Sequence, residues 1–372
     1  MKRILLASAS IVAFAGAAAA EITFSGEAAL GYNDTDALSE DDEDKGFYWD
    51  AELGITFSQE LDNGLVAAAT VTSDVVDNEL EGDIFAEGFV LSLTSETAGL
   101  YFGDTDQAAN LRWDGVSEMA NDGFSETDGE TVLRGDFMAY GLDVSLSALV
   151  DDSFDGIEND DGEPSGFLIP EDDTLDQYSV GVAGEFGAFQ FSMAYQAEEN
   201  DFNQAPIIDN GDFEPDELIG VSVGSAFAGA DVDVAYARNL TTEEDSTGIE
   251  AAYPIGPVTL GAFYVAESDQ DDGYGVAVDY VSGALTVTTA YEEVGGDEDW
   301  AIDAGYDFGM GLNFFAGVSD AGDDYYVAGT YALAEGAQLL VSYGDDDSDD
   351  SEDEIGDPEF QEGTTVEVSF EF

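Results

Sequence analysis

Apolar and small polar residues alternate along the chain in segments of about ten residues, from Glu21 to the last residue, Phe372. Successive side chains of an extended strand point to opposite faces, so this period of two predicts strands with one apolar and one polar face. The apolar face of the second segment consists of Phe47, Trp49, Ala51, Leu53, Ile55 and Phe57. Its polar face consists of Tyr48, Asp50, Glu52, Thr56 and Ser58. The alternation predicts an all-β chain of antiparallel strands.

Two kinds of connection separate these segments. The short kind contains glycine, which readily adopts the positive φ of tight hairpin turns. Such turns lie at residues 61–64, 186–189, 227–230, 308–311 and 334–337, and near Gly99, Gly141, Gly256 and Gly283. The long kind is very acidic and covers residues 33–45, 104–130, 151–176, 198–216 and 344–362. Nine tight turns predict eighteen paired strands and one more at each terminus, hence twenty.

The apolar faces can meet either membrane lipid or the core of a soluble β-sandwich, and periodicity alone does not separate these two architectures. The unbroken pattern favours closure of the first strand onto the last, which removes exposed sheet edges. Aromatic residues also recur beside the turns, as in the interfacial girdles of membrane barrels. We therefore expect an up-and-down transmembrane β-barrel with short periplasmic turns and long acidic extracellular loops.

The first twenty residues have the features of a secretory signal peptide. Basic Lys2 and Arg3 precede an apolar run at 4–14, and small residues at 18–20 offer a cleavage site before Glu21. No later stretch reaches the roughly 20 continuous apolar residues that a membrane helix needs. The expected organisation is a signal peptide over 1–20 and a single barrel domain over 21–372.

Composition removes several classes of function. The chain has no cysteine and no histidine, which excludes disulfides, Ser-His-Asp triads and ordinary zinc sites. Beyond the signal peptide its basic residues are Lys45, Arg112, Arg134 and Arg238, against 85 acidic residues in the whole chain. Nucleic acid is excluded as a partner, because binding it requires neutralisation of phosphates by Lys and Arg. Paired carboxylates would arise anywhere by chance, so the sequence does not predict an enzyme.

The long connection at residues 104–130, which occupies the third-loop position, is the candidate constriction of a pore. We expect its charged residues, together with two from the following strand, to surround the lumen: Asp104, Asp106, Arg112, Asp114, Glu118, Asp122, Arg134 and Asp136. A ring of carboxylates attracts cations and repels anions. Arg134 is expected to brace the folded loop by pairing with its carboxylates. The alternative is an acidic surface loop outside the lumen.

Three other charged features have weaker functional interpretations. Arg238 shares a face with apolar residues, which places it on the outer wall, where it either extends to the lipid headgroups or binds a lipopolysaccharide phosphate. The simpler interpretation is an ordinary residue of the rim. The acidic runs at 41–44 and 345–354 could loosely bind Ca²⁺ or Mg²⁺, the cations that prefer oxygen ligands. Neither run matches a known calcium-loop motif. No cofactor is predicted, and solvated loops are the simpler interpretation.

The two ends of the mature chain resemble those of Gram-negative general diffusion porins, with the Rhodobacter-type porins of alphaproteobacteria as the closest subgroup. The matching segments are 20–32 (AEITFSGEAALGY) and 366–372 (VEVSFEF), together with the recurring Phe-Gly turns. The resemblance implies a homotrimer of sixteen-stranded barrels with the third loop folded into the lumen. It also implies that Phe372 is read by the outer-membrane assembly machinery. Twenty counted strands and the scarcity of arginine depart from the family pattern.

These observations predict an outer-membrane porin: a passive, water-filled channel for ions and small hydrophilic solutes that favours cations. Its expected partners are outer-membrane lipid, lipopolysaccharide and the assembly machinery. One alternative is a solute-specific channel of the same membrane. The other is a secreted, acidic, β-rich adhesive or structural protein.

Overall fold

The computed structural model describes residues 20–35, 46–77, 85–126, 131–150, 175–199, 213–345 and 360–372, and two short strands at 9–10 and 354–355. Its main feature is one antiparallel sheet. The twenty principal strands are β1 Glu21–Asn33, β2 Phe47–Glu60, β3 Val66–Asp77, β4 Phe85–Thr94, β5 Ala98–Gly103, β6 Val132–Ala139, β7 Leu142–Val150, β8 Leu175–Phe186, β9 Phe189–Gln196, β10 Leu218–Phe227, β11 Ala230–Asn239, β12 Asp245–Ile255, β13 Val258–Glu267, β14 Gly273–Ser282, β15 Leu285–Val294, β16 Asp297–Gly309, β17 Leu312–Ser319, β18 Asp324–Ala334, β19 Ala337–Asp345 and β20 Gly363–Glu371.

The sheet closes into a barrel, because β20 pairs with both β19 and β1. Along the closing seam, Glu27 lies opposite Glu371 and Asn33 lies opposite Thr365. Closure leaves no long strand edge unpaired. The predicted count of twenty strands is confirmed. The sixteen strands implied by the family resemblance are wrong for this chain, since the additional hairpins continue the same ladder around the barrel.

The tight turns join consecutive strands at one end of the barrel, as predicted. In the turn between β6 and β7, Tyr140 and Gly141 both have positive φ, at 56° and 82°. Two such residues give a hairpin turn whose twist matches that of the flanking strands. Tyr140 is fully exposed there, and Phe186 and Phe227 beside two other turns are largely exposed. This end corresponds to the predicted periplasmic rim.

Connections at the opposite end differ in length around the barrel. Four of them are short and consist of residues 240–244, 268–272, 295–296 and 320–323. The alternation of short turns with long loops therefore fails between β11 and β18. The long connections cluster before β10 and after β19.

The two faces of the sheet differ as the alternation requires. Large apolar side chains are exposed on the outside, for example Phe24, Leu30, Trp49, Ile249 and Phe314. Most of the inward positions carry small residues, hydroxyls or carboxylates, and the buried residues lie where loops cover this inner wall. None of the helices among the described residues is long and apolar enough to cross a membrane. The apolar outside belongs to the strands.

Candidate functional site

Residues 104–126, here called the inner loop, follow β5 and lie inside the barrel. The loop contains one short helix, α1, at Ala108–Arg112. It contacts inward residues from β6 to β13, including Arg134 on β6, Ser145 on β7 and Glu267 on β13.

Inward serines hold the start of the inner loop. The amides of Ala108 and Ala109 donate hydrogen bonds to Ser147 Oγ at 2.9 Å and Ser179 Oγ at 2.7 Å. These first amides of a helix have no carbonyl partner within it, so the two hydroxyls satisfy buried donors. Arg112 Nε donates to Ser145 Oγ at 2.9 Å. The helix is thereby fixed against the inner wall.

Further hydrogen bonds hold the middle of the inner loop. Asp114 N donates to Ser192 Oγ at 3.1 Å, and Asn121 N donates to Ser246 Oγ at 3.0 Å. Ala120 N donates to a Glu267 carboxylate oxygen at 3.0 Å. Carboxylates accept stronger hydrogen bonds than neutral groups do. The main chain of the loop is therefore attached to three separate strands, β9, β12 and β13.

Apolar side chains of the inner loop face the wall and form two small cores. In one, Val116 and Met119 pack on Ala235, Ala237 and Val265. In the other, Ala109 and Phe124 pack on Ala194 and Leu218. Trp113 contacts both clusters, with its ring 5.4 Å from that of Phe124. The loop is amphipathic: its apolar side covers the apolar patches of an otherwise polar wall.

Three inward glycines form a shallow trough under the inner loop. A Cβ on Gly181 would lie 2.0 Å from the main-chain oxygen of Ala108. One on Gly220 would lie 2.5 Å from the Trp113 ring, and one on Gly248 would lie 2.7 Å from Val116 Cβ. Real Cβ atoms do not approach other atoms so closely. Gly181 therefore makes room for α1 against the inner wall.

The predicted acidic residues of the inner loop fall into two groups. Asp104, Asp106, Asp114 and Glu118 are exposed on its lumen side. Asp122 is partly buried, and its carboxylate accepts a hydrogen bond from Trp113 Nε1 at 2.9 Å. Burial raises the pKa of Asp122 to about 6, with the negative charges of Glu267 and Glu118 adding to the shift and the Trp113 hydrogen bond opposing it. Asp122 therefore titrates close to neutral pH.

Arg134 lies at the root of the inner loop. Its Nη1 donates to the main-chain oxygen of Asp106 at 2.6 Å, and its Nε lies 3.3 Å from Asp136 Oδ1. The guanidinium also stacks 4.8 Å from the centre of the Tyr101 ring. Arg134 and Asp136 point inward, because Arg134 pairs with Ser147 and Asp136 with Ser145. Arg134 therefore braces the inner loop by a hydrogen bond to the main-chain oxygen of Asp106. The sequence had predicted pairing with carboxylates of the loop.

Sequence reasoning missed the carboxylates on the wall that faces the inner loop. Asp114 of the loop lies close enough to Asp233 on β11 for their charges to repel. Glu118 lies similarly close to Glu292 on β15. Glu250 on β12 accepts hydrogen bonds from Ser117 N at 3.3 Å and Ser117 Oγ at 2.9 Å. The alternation of residues places these carboxylates on the inward faces of their strands. Their position opposite the inner loop could be inferred only once the strands that the loop contacts were known.

The remaining candidates lie elsewhere. Arg238 occupies the outward face near the end of β11, as expected from its stripe. The run at 41–44 and most of the run at 345–354 lie outside the described residues. Among the residues that the structure does describe, no group of three acidic residues has the arrangement of a metal site.

Comparison with known proteins decides the family. The family model for Gram-negative porins matches residues 7–351. This chain belongs to the Gram-negative porin family. A porin of this family with a closed barrel is an outer-membrane channel protein, so the predicted location is confirmed. Membership favours the porin prediction over the secreted adhesive alternative.

Solved porin structures resemble this porin only in general fold. They include three mutants of the Rhodopseudomonas blastica porin, each with three substitutions. These are 12%, 13% and 14% identical to it, with TM-scores of 0.47, 0.46 and 0.42. Each comparison covers 94% of this chain and 100% of the other. No curated protein matches the sequence.

Proposed function

We propose that this porin is a passive, water-filled channel that favours cations over anions and passes small hydrophilic solutes. The observation that carries the proposal is the position of carboxylates on both sides of the space beside the inner loop. Asp114 and Glu118 border it on the loop, while Asp233 and Glu292 border it on the wall. A solute that passes the loop meets negative charge from two directions.

The electrostatics of this arrangement favour small cations. Low-dielectric walls focus the field of charges that line a cleft, which raises the local concentration of counter-ions. The same field raises the free energy of an anion in the lumen. Exposed carboxylates hold a hydrated cation only weakly, so it can leave again, as passive conduction requires. Selectivity should weaken at high ionic strength, because the Debye length falls from about 10 Å at 0.1 M salt to about 3 Å at 1 M.

The carboxylates of the lumen outnumber its two described arginines, Arg112 and Arg134. Arg112 donates to Ser145 on the wall, and Arg134 interacts with Asp106 and Asp136. Arg238 faces outward. Within the described part of the chain, the lumen therefore has no cluster of free arginines facing the loop carboxylates. The constriction we propose consists of Asp104, Asp106, Arg112, Asp114, Glu118, Asp122, Arg134 and Asp136, joined by the wall carboxylates.

Planar bilayers test the proposal. Under a KCl gradient, the reversal potential of the reconstituted wild-type protein should indicate preference for K⁺ over Cl⁻. Glu250→Gln combined with Asp233→Asn should reduce that preference, because both carboxylates lie on the inner wall. Glu293→Gln is the matched control, since Glu293 alternates with inward Glu292 on β15 and faces outward. Anion preference, or an equal effect of the control, would contradict the proposal.

We also propose the partners that the family pattern implies. The protein would assemble as a homotrimer in contact with outer-membrane lipid and lipopolysaccharide, and Phe372 would be read by the assembly machinery. Phe372 is 63% exposed beside Phe370 at the periplasmic end of β20, which supports recognition of its ring. Crosslinking of the purified protein in detergent tests the trimer. A monomeric product at all protein concentrations would refute it.

A further inference from the structure

A second segment of the chain enters the barrel near its extracellular end. Phe360, in the connection between β19 and β20, is only 5% exposed. Its ring lies 4.9 Å from that of Tyr326 on β18 and 6.1 Å from that of Phe315 on β17. Ala328 and Leu340 complete this apolar cluster. Aromatic rings at such distances stabilise one another beyond the burial of their surface.

The cluster lies on the inner wall. Phe315 pairs with Ala328, and Ala328 pairs with Ser342, so these residues share one face of the sheet. The alternate residues Phe314 and Val341 are 43% and 46% exposed on the outer face. Side chains of neighbouring positions on a strand point to opposite faces. Phe360 therefore occupies space inside the barrel.

The chain that follows Phe360 is fixed at the closing seam. Asn33, which is 2% exposed, donates from Nδ2 to the main-chain oxygen of Glu362 at 2.8 Å and to Thr365 Oγ1 at 2.9 Å. Thr35 Oγ1 donates to the same Glu362 oxygen at 3.1 Å. The Asp34 carboxylate accepts a hydrogen bond from Thr364 N. Residues 360–365, here called the return segment, are thus held by the aromatic cluster at one end and by β1 at the other.

The return segment and the inner loop occupy different parts of the wall. The inner loop contacts strands β6 to β13, whereas Phe360 contacts β17 to β19. In the order of twenty strands, β18 lies eight positions beyond β10, which is near the middle of the first region, so the two regions lie most of the way to opposite sides of the barrel. Tyr326 lies two residues after the first residue of β18, so the cluster is close to the extracellular end. Phe360 thus occupies the barrel interior on a different side from the inner loop.

We propose that Phe360 is a positioning residue that holds the return segment inside the extracellular mouth and thereby limits the open cross-section of the channel. This inference rests on the proposed channel function. If Phe360 served only to stabilise the closing hairpin, its removal would lower stability and leave conduction unchanged. The two roles therefore differ in a measurable property other than stability.

Single-channel recording of Phe360→Ala tests the proposal. The variant should show a larger single-channel conductance than wild type and should admit larger neutral sugars in liposome-swelling assays. Phe314→Ala is the matched control, since it removes a phenylalanine ring from the outward face of β17, next to Phe315. This variant should leave both properties unchanged. If Phe360→Ala does not fold, Phe360→Leu keeps an apolar contact with a smaller side chain and should show a smaller gain. Unchanged conductance and sugar cut-off in a folded Phe360 variant would overturn the proposal.

Thiol labelling supplies a readout that does not depend on conduction. The chain has no cysteine, so Ala328→Cys creates a unique label site beneath Phe360. A bulky membrane-impermeant thiol reagent should label it slowly in the wild-type background and rapidly together with Phe360→Ala. Ala290→Cys, on the inward face of β15 away from the cluster, should be labelled equally in both backgrounds. Equal labelling of Ala328→Cys in both backgrounds would overturn the proposal, whereas absence of conductance in every variant would refute the channel function instead.

Discussion

Gly181→Ala is the sharpest perturbation of the inner loop, because one methyl group would meet main chain that cannot rotate away. The added Cβ would lie 2.0 Å from the Ala108 oxygen and 2.6 Å from Arg112 Cβ. To regain an ordinary contact of 3.4 Å, the first turn of α1 must move by about 1.4 Å away from the wall. That movement is directed into the lumen.

The cost of this movement follows from the contacts that it disturbs. Overpacking of a well-packed site costs about 1–3 kcal/mol. The hydrogen bonds from Ala108 N to Ser147 and from Ala109 N to Ser179 would lengthen as well, and each contributes about 0.5–1.5 kcal/mol. We therefore expect a destabilised loop and a narrower lumen. Single-channel conductance should fall, and the loop should become more sensitive to protease in folded protein.

Gly135→Ala is the matched control. Gly135 lies on β6, and a Cβ there would meet no atom within 4 Å. The same chemical change should therefore leave conductance, protease sensitivity and thermal unfolding as in wild type. If Gly181→Ala behaved like Gly135→Ala in all three assays, the docking of α1 against β8 would be wrong.

Two further predictions concern charged groups at the inner loop. Asp122→Asn should stabilise the protein at neutral pH. The pKa of Asp122 is raised to about 6 because the folded state disfavours its charged form. The free energy of unfolding of the wild type therefore falls as pH rises from 3.8, the ordinary pKa of this carboxyl, through about 6. Thermal unfolding across pH should show this advantage above pH 6 and its loss below pH 3.8, and an advantage that is constant with pH would contradict the assignment. Arg134→Gln should raise the preference for cations and cost about 1.5–3 kcal/mol of stability, because it removes a positive charge from the lumen and a charged hydrogen bond to Asp106. Reversal potentials measure the change in selectivity, and thermal unfolding measures the change in stability. Arg238→Gln on the outer face is the control for selectivity. Equal shifts of the reversal potential in the two variants would show that position in the lumen does not matter.

The alternation of residues predicted the strands, and its unbroken run together with the aromatic residues beside the turns favoured the barrel. Strand number and facing direction follow from local pattern and from tight turns such as Tyr140–Gly141, which neighbouring residues specify. The docking of the inner loop could not be predicted in the same way. Ser147, Ser179 and Ser246 look like ordinary members of a polar stripe, and only the paired sheet brings them together.

Contacts between distant residues account for the other features that were missed. The inner loop docks on Ala235, Ala237 and Val265, which are apolar residues on the inward face of their strands. Local periodicity predicts polar residues at such positions, so it did not identify them as a docking surface. Phe360 lies in an acidic connection that reads as a solvated loop. Its partners Phe315 and Tyr326 precede it in the sequence by more than thirty residues. Such contacts form only in the closed sheet, so they could not be predicted from the local pattern of one sequence.

The most direct test of the account is an accessibility scan of four consecutive residues on β15. Val287 and Thr289 should face lipid, while Thr288 and Ala290 should face the water-filled lumen, where Thr288 already donates to Asp279. Single cysteines at these positions, in protein reconstituted into liposomes, are treated with a small membrane-impermeant thiol reagent. The account predicts rapid labelling at 288 and 290 and slow labelling at 287 and 289. Rapid labelling at 287 and 289, or equal labelling at all four positions, would contradict a lipid-facing outside and a wet, carboxylate-lined interior.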